Sequence, residues 1–189
     1  MPHSHHLLVI VSAHAGYPRL VNSGADYIEV DVRRNAYGVF VISHDELKPG
    51  AELPTLDEVL DAAAGRVGVQ LDLKETGHEV EVVSHALEKC QKLVVTSPFH
   101  GSIRAVKDRF PDVMVGLTRQ YVEQTDADFI SLDQRGATDE ALDFCASHSI
   151  PMWVWTVDDR KLMERLIPRV AGIITNRPDM ALKLRRDRA

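Results

Sequence analysis

The sequence predicts an α/β protein with the (β/α)8 barrel fold, formed as one domain over residues 1–189. Eight short β-rich segments alternate with amphipathic segments along the chain. With 189 residues and a hydrophobic content of 44%, the chain is long enough to bury one core. An open doubly wound sheet is the alternative. The barrel is favoured because "AHAGYPRL", after the first segment, matches neither the phosphate-loop nor the dinucleotide-binding glycine pattern.

Each predicted strand is a short run rich in β-branched and other apolar residues. The strands are predicted over residues 7–13, 27–33, 67–74, 92–98, 113–118, 128–133, 152–157 and 171–176. After the second strand, residues 35–45 indicate a turn around Gly38 and one more short strand, which predicts a hairpin on the second βα loop. This hairpin would bring His44 to the end of the fold where the strands finish.

Helices are predicted between most of the strands, and several begin with a capping residue or proline. They cover residues 55–65, 79–90, 102–110, 138–148, 159–167 and 178–188. The first βα unit is short, because "YPRLVNSG" can form only about two helical turns. We therefore expect apolar barrel surface at this unit that a partner subunit could cover, so that an oligomer is possible.

Composition excludes several classes of function. The 22 Lys+Arg against 28 Asp+Glu give a net charge of −6, which argues against a nucleic-acid partner. No apolar run reaches about 18 residues, so no membrane span is expected. Cys90 and Cys145 have no metal-type spacing and are expected to be buried thiols in a reducing compartment. We therefore expect a cytoplasmic protein.

Acidic residues interrupt two of the predicted strands. Because side chains alternate along a strand, Glu29 and Asp31 should point to the barrel axis, as should Asp72 and Lys74. Buried carboxylates need a cation, hydrogen bonds or water. An all-oxygen ligand set predicts Mg²⁺ or Ca²⁺ as a divalent cofactor. The alternative is a salt-bridge network in which Lys74 and nearby arginines neutralise the acids.

Two histidines follow strand-like runs at the same end of the barrel, where βα loops build active sites. His14 ends the first strand and His44 ends the hairpin. An unperturbed histidine titrates near pH 6.5 or so, about where general acids and bases work, and the two could divide these roles beside a metal-bound anion. A single histidine at a strand end is usually a hydrogen-bonded structural residue, but two beside three acids favour catalysis.

Taken in order, "AHAG", "YIEVDV", "VFVISHD", "PTLDEVL", "LDLKE", "WVWTVDD" and "GIITNRP" resemble the glycerophosphodiester phosphodiesterase family over nearly the whole chain. The resemblance implies a phospholipase C-like (β/α)8 barrel that hydrolyses small-molecule phosphodiesters, either glycerophosphodiesters or lysophospholipids, with a divalent metal. It assigns the catalytic histidines to His14 and His44, and a phosphate contact to Lys74. Trp155 would line the substrate site, and the metal ligands would be Glu29, Asp31 and Asp72.

The chain departs from the family pattern at its start. The family has His-Arg-Gly, with the arginine on the phosphate, where this chain has Ala15 in place of the arginine. This chain also lacks the Glu-Asn-Thr motif that opens the first helix in the family. In these two respects the chain resembles sphingomyelinase D-type phospholipases, which share the barrel. Such enzymes can release the alcohol and leave a cyclic phosphate. A non-catalytic barrel that binds metal or phosphate is a second alternative. A Schiff-base enzyme using Lys74 is a third, although a neighbouring carboxylate would keep that lysine protonated.

Overall fold

A computed structural model describes residues 8–188 and contains a closed barrel of eight parallel strands. The strand bounds are β1 Ile10–Ala13, β2 Tyr27–Arg34, β3 Phe40–Ile42, β4 Gly68–Leu73, β5 Leu93–Ser97, β6 Met114–Arg119, β7 Phe129–Asp133, β8 Met152–Trp155 and β9 Gly172–Thr175. Around the barrel the strand order is β1, β9, β8, β7, β6, β5, β4 and β2, and β2 pairs with β1 to close the ring. The ninth strand, β3, pairs antiparallel with β2 and forms the predicted hairpin. The predicted (β/α)8 barrel is confirmed.

Six α-helices pack around the strands. Their bounds are α1 Leu56–Ala63, α2 Glu79–Lys89, α3 His100–Arg109, α4 Asp139–Ser147, α5 Arg160–Leu166 and α6 Pro178–Arg186. Each overlaps a predicted helix. Local capping fixes several of their starts, since Thr55 and Glu58 form a reciprocal capping box before α1 and Thr138 caps α4. Within residues 8–188, no helix has both the length and the apolar character that a membrane crossing requires.

The first βα unit is short, as the sequence indicated, and the described chain between β1 and β2 forms only turns. Pro18 and Gly24 disfavour a helix there, and Leu20 N–H donates to the Gly16 carbonyl at 2.8 Å in one isolated helical turn. The outward side chains of β1 are nevertheless fully buried, including Val11 and Ala13. The expected uncovered barrel surface is thus absent from β1, so it gives no support for a partner subunit.

Three aromatic rings fill the lower end of the barrel. Tyr27, Phe129 and Trp153 each lie beside a glycine that pairs with them in register on the neighbouring strand. The Phe129 and Trp153 ring centroids are 4.4 Å apart, and those of Tyr27 and Trp153 are 5.9 Å apart. A Cβ atom on Gly116 would lie 2.3 Å from the Phe129 ring, so the glycines make the room that the rings occupy. We call these three rings the aromatic floor.

Candidate active site

The carboxyl end of the barrel encloses a cavity of about 230 Å³, here called the central cavity. Every site residue predicted from the sequence lines it: His14, Glu29, Asp31, His44, Asp72, Lys74 and Trp155. Its other lining residues are Gln70, Thr96, Thr118, Ser131, Thr156 and Ile174. The barrel therefore brings together side chains that are up to 160 positions apart in the sequence (174 − 14).

Three carboxylates lie together on one side of the central cavity. Glu29 and Asp31 are two residues apart on β2 and so share a face, and Asp72 is the register partner of Asp31 on β4. One oxygen from each carboxylate can be chosen so that all three atoms lie within 4.8 Å of one another. All three residues are buried. This is the arrangement that the alternation of side chains predicted.

Lys74 bridges two of the three acids. Its Nζ atom lies 2.9 Å from Asp31 Oδ1 and 2.6 Å from Asp72 Oδ2. Burial alone would lower the pKa of Lys74, but the charges of Asp72 and Asp31 and their hydrogen bonds raise that pKa above its ordinary value. A lysine held protonated in this way is a poor nucleophile, which argues against a Schiff-base mechanism.

Glu29 has no lysine or arginine partner among residues 8–188, and its nearest basic atom is His14 Nε2 at 4.0 Å. Burial raises the pKa of Glu29 well above its ordinary value, and the charges of Asp31 and Asp72 raise it further. The hydrogen bond from the Ala15 N–H and the charge of Lys74 lower this pKa but do not cancel the rise. Burial also raises the pKa of Asp72, although Lys74 opposes it. One ammonium group therefore faces three carboxylates, and the excess negative charge fits a bound cation better than a closed salt-bridge network.

A chain of hydrogen bonds orients Asp72 from below. The Ser12 hydroxyl donates to Gln70 Oε1 at 2.7 Å, and the Gln70 amide donates to Thr96 Oγ1 at 3.3 Å. Thr96 in turn donates to Asp72 Oδ1 at 2.7 Å. These supporting contacts fix the direction in which Asp72 presents its other oxygen, Oδ2, to Lys74 and the cavity.

His14 is held by a relay that the sequence reading missed. The Asn176 side-chain amide donates to Asp158 Oδ2 at 2.7 Å, and the Asn176 backbone N–H donates to Asp158 Oδ1 at 2.8 Å. The Asn176 amide oxygen is therefore left to accept from His14 Nδ1, 3.0 Å away. With its hydrogen on Nδ1, His14 keeps the lone pair on Nε2, the nitrogen that faces Glu29. Asp158 lies in the motif "WVWTVDD" and Asn176 in "GIITNRP", but the contact between His14 and Asn176 joins distant parts of the chain.

Asp158 is set up as an ionised anchor for this relay. Burial alone would raise the pKa of Asp158, but hydrogen bonds from Asn176 and Thr175 lower that pKa below its ordinary value, and His14 contributes in the same direction. Asp158 thus remains a hydrogen-bond acceptor across the neutral range.

His44 is held more loosely than His14. It lies just beyond β3 at the rim of the central cavity, and its side chain is 75% exposed. Its Nδ1 atom lies 3.2 Å from Asp45 Oδ1. The Arg33 guanidinium donates to the His44 backbone oxygen at 3.1 Å and so supports the loop rather than the ring. The hairpin therefore places His44 at the site while leaving its ring free to meet a substrate.

Trp155 closes the other side of the rim. Its indole Nε1–H donates to the Ser131 backbone oxygen at 3.0 Å, which fixes the ring against β7. The structure thus places all the predicted site residues around one cavity, with acids and histidines on one side and the indole on another.

Comparison with known proteins gives one curated relative and several structures of the same kind. No protein-family model matches the chain. A glycerophosphodiester phosphodiesterase of Caldanaerobacter subterraneus subsp. tengcongensis is 26% identical over an alignment of 218 positions, which covers 90% of each chain.

Several solved structures share the fold of this chain. A glycerophosphodiester phosphodiesterase from Parabacteroides distasonis has a TM-score of 0.80 at 20% identity, with 96% of this chain and 98% of that chain covered. An Oleispira antarctica phosphodiesterase, solved in complex with the product sn-glycerol-3-phosphate, has a TM-score of 0.79 at 16% identity, with coverage of 94% and 96%. The comparisons confirm the fold and the predicted resemblance to glycerophosphodiester phosphodiesterases.

Proposed function

We propose that the protein is a metal-dependent phosphodiester hydrolase that acts on glycerophosphodiesters or lysophospholipids. The observation that carries the proposal is the central cavity, where two histidines face three buried carboxylates and a protonated lysine. The similarity to the Caldanaerobacter phosphodiesterase supports the same reaction class. Two unpaired, buried cysteines are typical of a reducing compartment, and we propose a cytoplasmic location.

Glu29, Asp31 and Asp72 would hold the metal. Their oxygen-only donor set suits Mg²⁺ or Ca²⁺. When bound, such an ion would neutralise charge on the phosphoryl oxygens of the substrate and so help the phosphorus accept a nucleophile. Lys74 lies at the same place and adds a second positive charge toward those oxygens.

The two histidines divide the proton transfers. In the neutral ring of His14 the hydrogen on Nδ1 is held by Asn176 and the lone pair is on Nε2, which suits His14 to act as the base or nucleophile. His44, exposed at the rim, donates a proton from its imidazolium form to the departing alcohol. Trp155 lines the cavity wall and keeps water from that side of the substrate.

Phosphorus NMR with glycerophosphocholine and a lysophospholipid tests the reaction directly, in Mg²⁺, in Ca²⁺ and in chelator. A phosphomonoester that forms only with metal is the expected result. A cyclic phosphate would instead indicate the sphingomyelinase D-type reaction, which the Ala15 departure leaves open. If no diester is consumed while metal still raises the melting temperature, the barrel binds without turnover and the proposal is wrong.

Variants test the assigned roles. His14→Ala and His44→Ala should each lower turnover by about 10²-fold, whereas His148→Ala, on a helix end remote from the cavity, should leave it unchanged. Asp72→Asn should remove the rise in melting temperature that Mg²⁺ or Ca²⁺ produces. A normal metal response in Asp72→Asn would place the ion elsewhere.

A further inference from the structure

One polar atom of the central cavity has no partner. Thr118 Oγ1 is buried and makes no hydrogen bond within the described part of the chain. Thr118 lies on the inward face of β6 and lines the central cavity. Leaving a buried hydroxyl unpaired costs free energy, and a bound ligand oxygen would satisfy it. The neighbouring Thr96 hydroxyl, by contrast, is fully used by Asp72 and Gln70.

An open groove continues from this point to the outside of the barrel mouth. Pro98, Thr118, Arg119, Gln120, Tyr121 and Trp155 line it, and we call it the apolar groove. Thr118 and Trp155 also line the central cavity, so the groove and the cavity form one continuous surface. The Tyr121 side chain lines the groove, and the residue is 66% exposed, so its ring is open to a ligand that enters there.

The groove offers no free charge to an anion. Among the described residues that line it, Arg119 alone is cationic, and its Nε atom lies 2.9 Å from Glu123. The same guanidinium donates to the Pro98 backbone oxygen at 2.6 Å. Glu123 in turn is paired with His100 at 2.7 Å. The surface left for a ligand is thus the indole, the phenol ring and the proline, which suit a neutral, apolar group.

Size separates the two regions. The central cavity, at about 230 Å³, lies below the roughly 300–1,000 Å³ of sites that enclose a whole drug-sized ligand. It can hold a phosphoryl group with a small alcohol, whereas a longer alcohol must leave through the mouth. The apolar groove is the exit that begins at an unpaired hydroxyl and continues over aromatic rings.

We infer that the apolar groove binds the acyl chain of a monoacyl glycerophosphodiester, and that the Thr118 hydroxyl bonds the glycerol oxygen next to the phosphate-bearing carbon. The inference rests on the proposed function and selects, between its two substrate classes, the lysophospholipid type. The polar contact lies beside the cavity and the apolar contacts lie beyond it, which matches the order of groups along such a substrate.

The test compares glycerophosphocholine with its monohexanoyl ester, since the two differ only by the acyl chain. In the unaltered protein, the ester should have a kcat/KM at least about tenfold higher. Tyr121→Ser should remove most of that preference and leave the kcat/KM for glycerophosphocholine within about twofold. Tyr37→Ser, which removes a 92% exposed tyrosine on the β2–β3 turn, is the matched control and should change neither value.

Thr118→Val has a different expected signature. Both substrates carry the glycerol oxygen, so kcat/KM should fall for both by a similar factor, about three- to tenfold. The melting temperature should stay the same or rise, because the variant removes an unsatisfied buried hydroxyl. A lower melting temperature with unchanged kinetics would mean that the hydroxyl has a structural role, and would overturn the assignment of Thr118.

The outcomes distinguish this inference from the proposed function. If the protein hydrolyses glycerophosphocholine but gains nothing from the hexanoyl chain, the inference is wrong and the hydrolase proposal stands. Equal losses on both substrates in Tyr121→Ser would also refute the groove. If neither diester is hydrolysed, the proposed function fails and the substrate assignment fails with it.

Discussion

The Asn176→Ala variant tests whether the relay to His14 serves catalysis. The Asn176 amide oxygen lies 3.0 Å from His14 Nδ1, and the direction of this side-chain amide is fixed by the hydrogen bond that its nitrogen donates to Asp158 Oδ2. Alanine removes the acceptor while leaving the backbone N–H bond to Asp158 in place. The histidine ring then loses the group that selects its Nδ1–H tautomer, and the lone pair is no longer confined to Nε2.

The size of the effect follows from this geometry. A solvent-accessible hydrogen bond of this kind contributes about 0.5–1.5 kcal/mol, which corresponds to a roughly two- to twelvefold change in the population of the productive tautomer. The ring also gains rotational freedom, so we expect kcat to fall by about tenfold or somewhat more. KM should stay nearly constant, because His14 is expected to act on the reacting atoms rather than to bind the alcohol.

The assay is steady-state choline release from the diester that the protein turns over best, with melting temperature measured in parallel. Asn22→Ala, which changes an exposed asparagine on the β1–β2 turns, is the control and should behave like the unaltered protein. The rise in melting temperature with Mg²⁺ should persist in Asn176→Ala, since the carboxylates are untouched. A kcat within twofold or so of the unaltered value would refute the positioning role.

Further predictions concern stability. Gly116→Ala should lower the free energy of unfolding by about 1–3 kcal/mol or more, because its Cβ would lie 2.3 Å from the buried Phe129 ring. Gly101→Ala, which meets nothing within 4 Å in helix α3, should instead leave stability unchanged or raise it by up to about 1 kcal/mol, and denaturant titration compares the two. The lowered pKa of Asp158 predicts a stabilising contribution that is complete above the unfolded-state pKa, about 3.9, and is lost as pH falls through the lower folded-state pKa. Asp158→Asn should therefore flatten the acid limb of a melting temperature against pH curve, and an unaltered limb would contradict the anchoring role.

Much of the site could be predicted because strand geometry repeats every two residues. Glu29 and Asp31 had to share a face, and a polar residue on an otherwise apolar strand had to point to the barrel axis. The same alternation placed Asp72 on the inward face of β4, and in the structure Asp72 pairs in register with Asp31 on β2. His14 was recognisable because it follows directly on a strand.

The features that sequence reasoning missed depend on contacts between distant segments. His14 and Asn176 are 162 positions apart and meet only because β1 and β9 are neighbours in the closed barrel. The unpaired Thr118 hydroxyl could not be foreseen either, since an ordinary threonine on a strand gives no sign of whether its oxygen finds a partner. The first βα unit was expected to hold at most about two helical turns, and the structure has one isolated turn there, because Pro18 and Gly24 disfavour a helix in "YPRLVNSG".

The aromatic floor also determines where substrates can enter the barrel and where products can leave it. With Tyr27, Phe129 and Trp153 packed across the lower end of the barrel, no water-filled passage leads out below the acids. Diester, water and both products must therefore enter and leave at the carboxyl end of the barrel, where His44 and Trp155 line the central cavity. A phosphomonoester that still occupies this end of the cavity blocks the next diester, so inhibition by that product should be competitive with substrate.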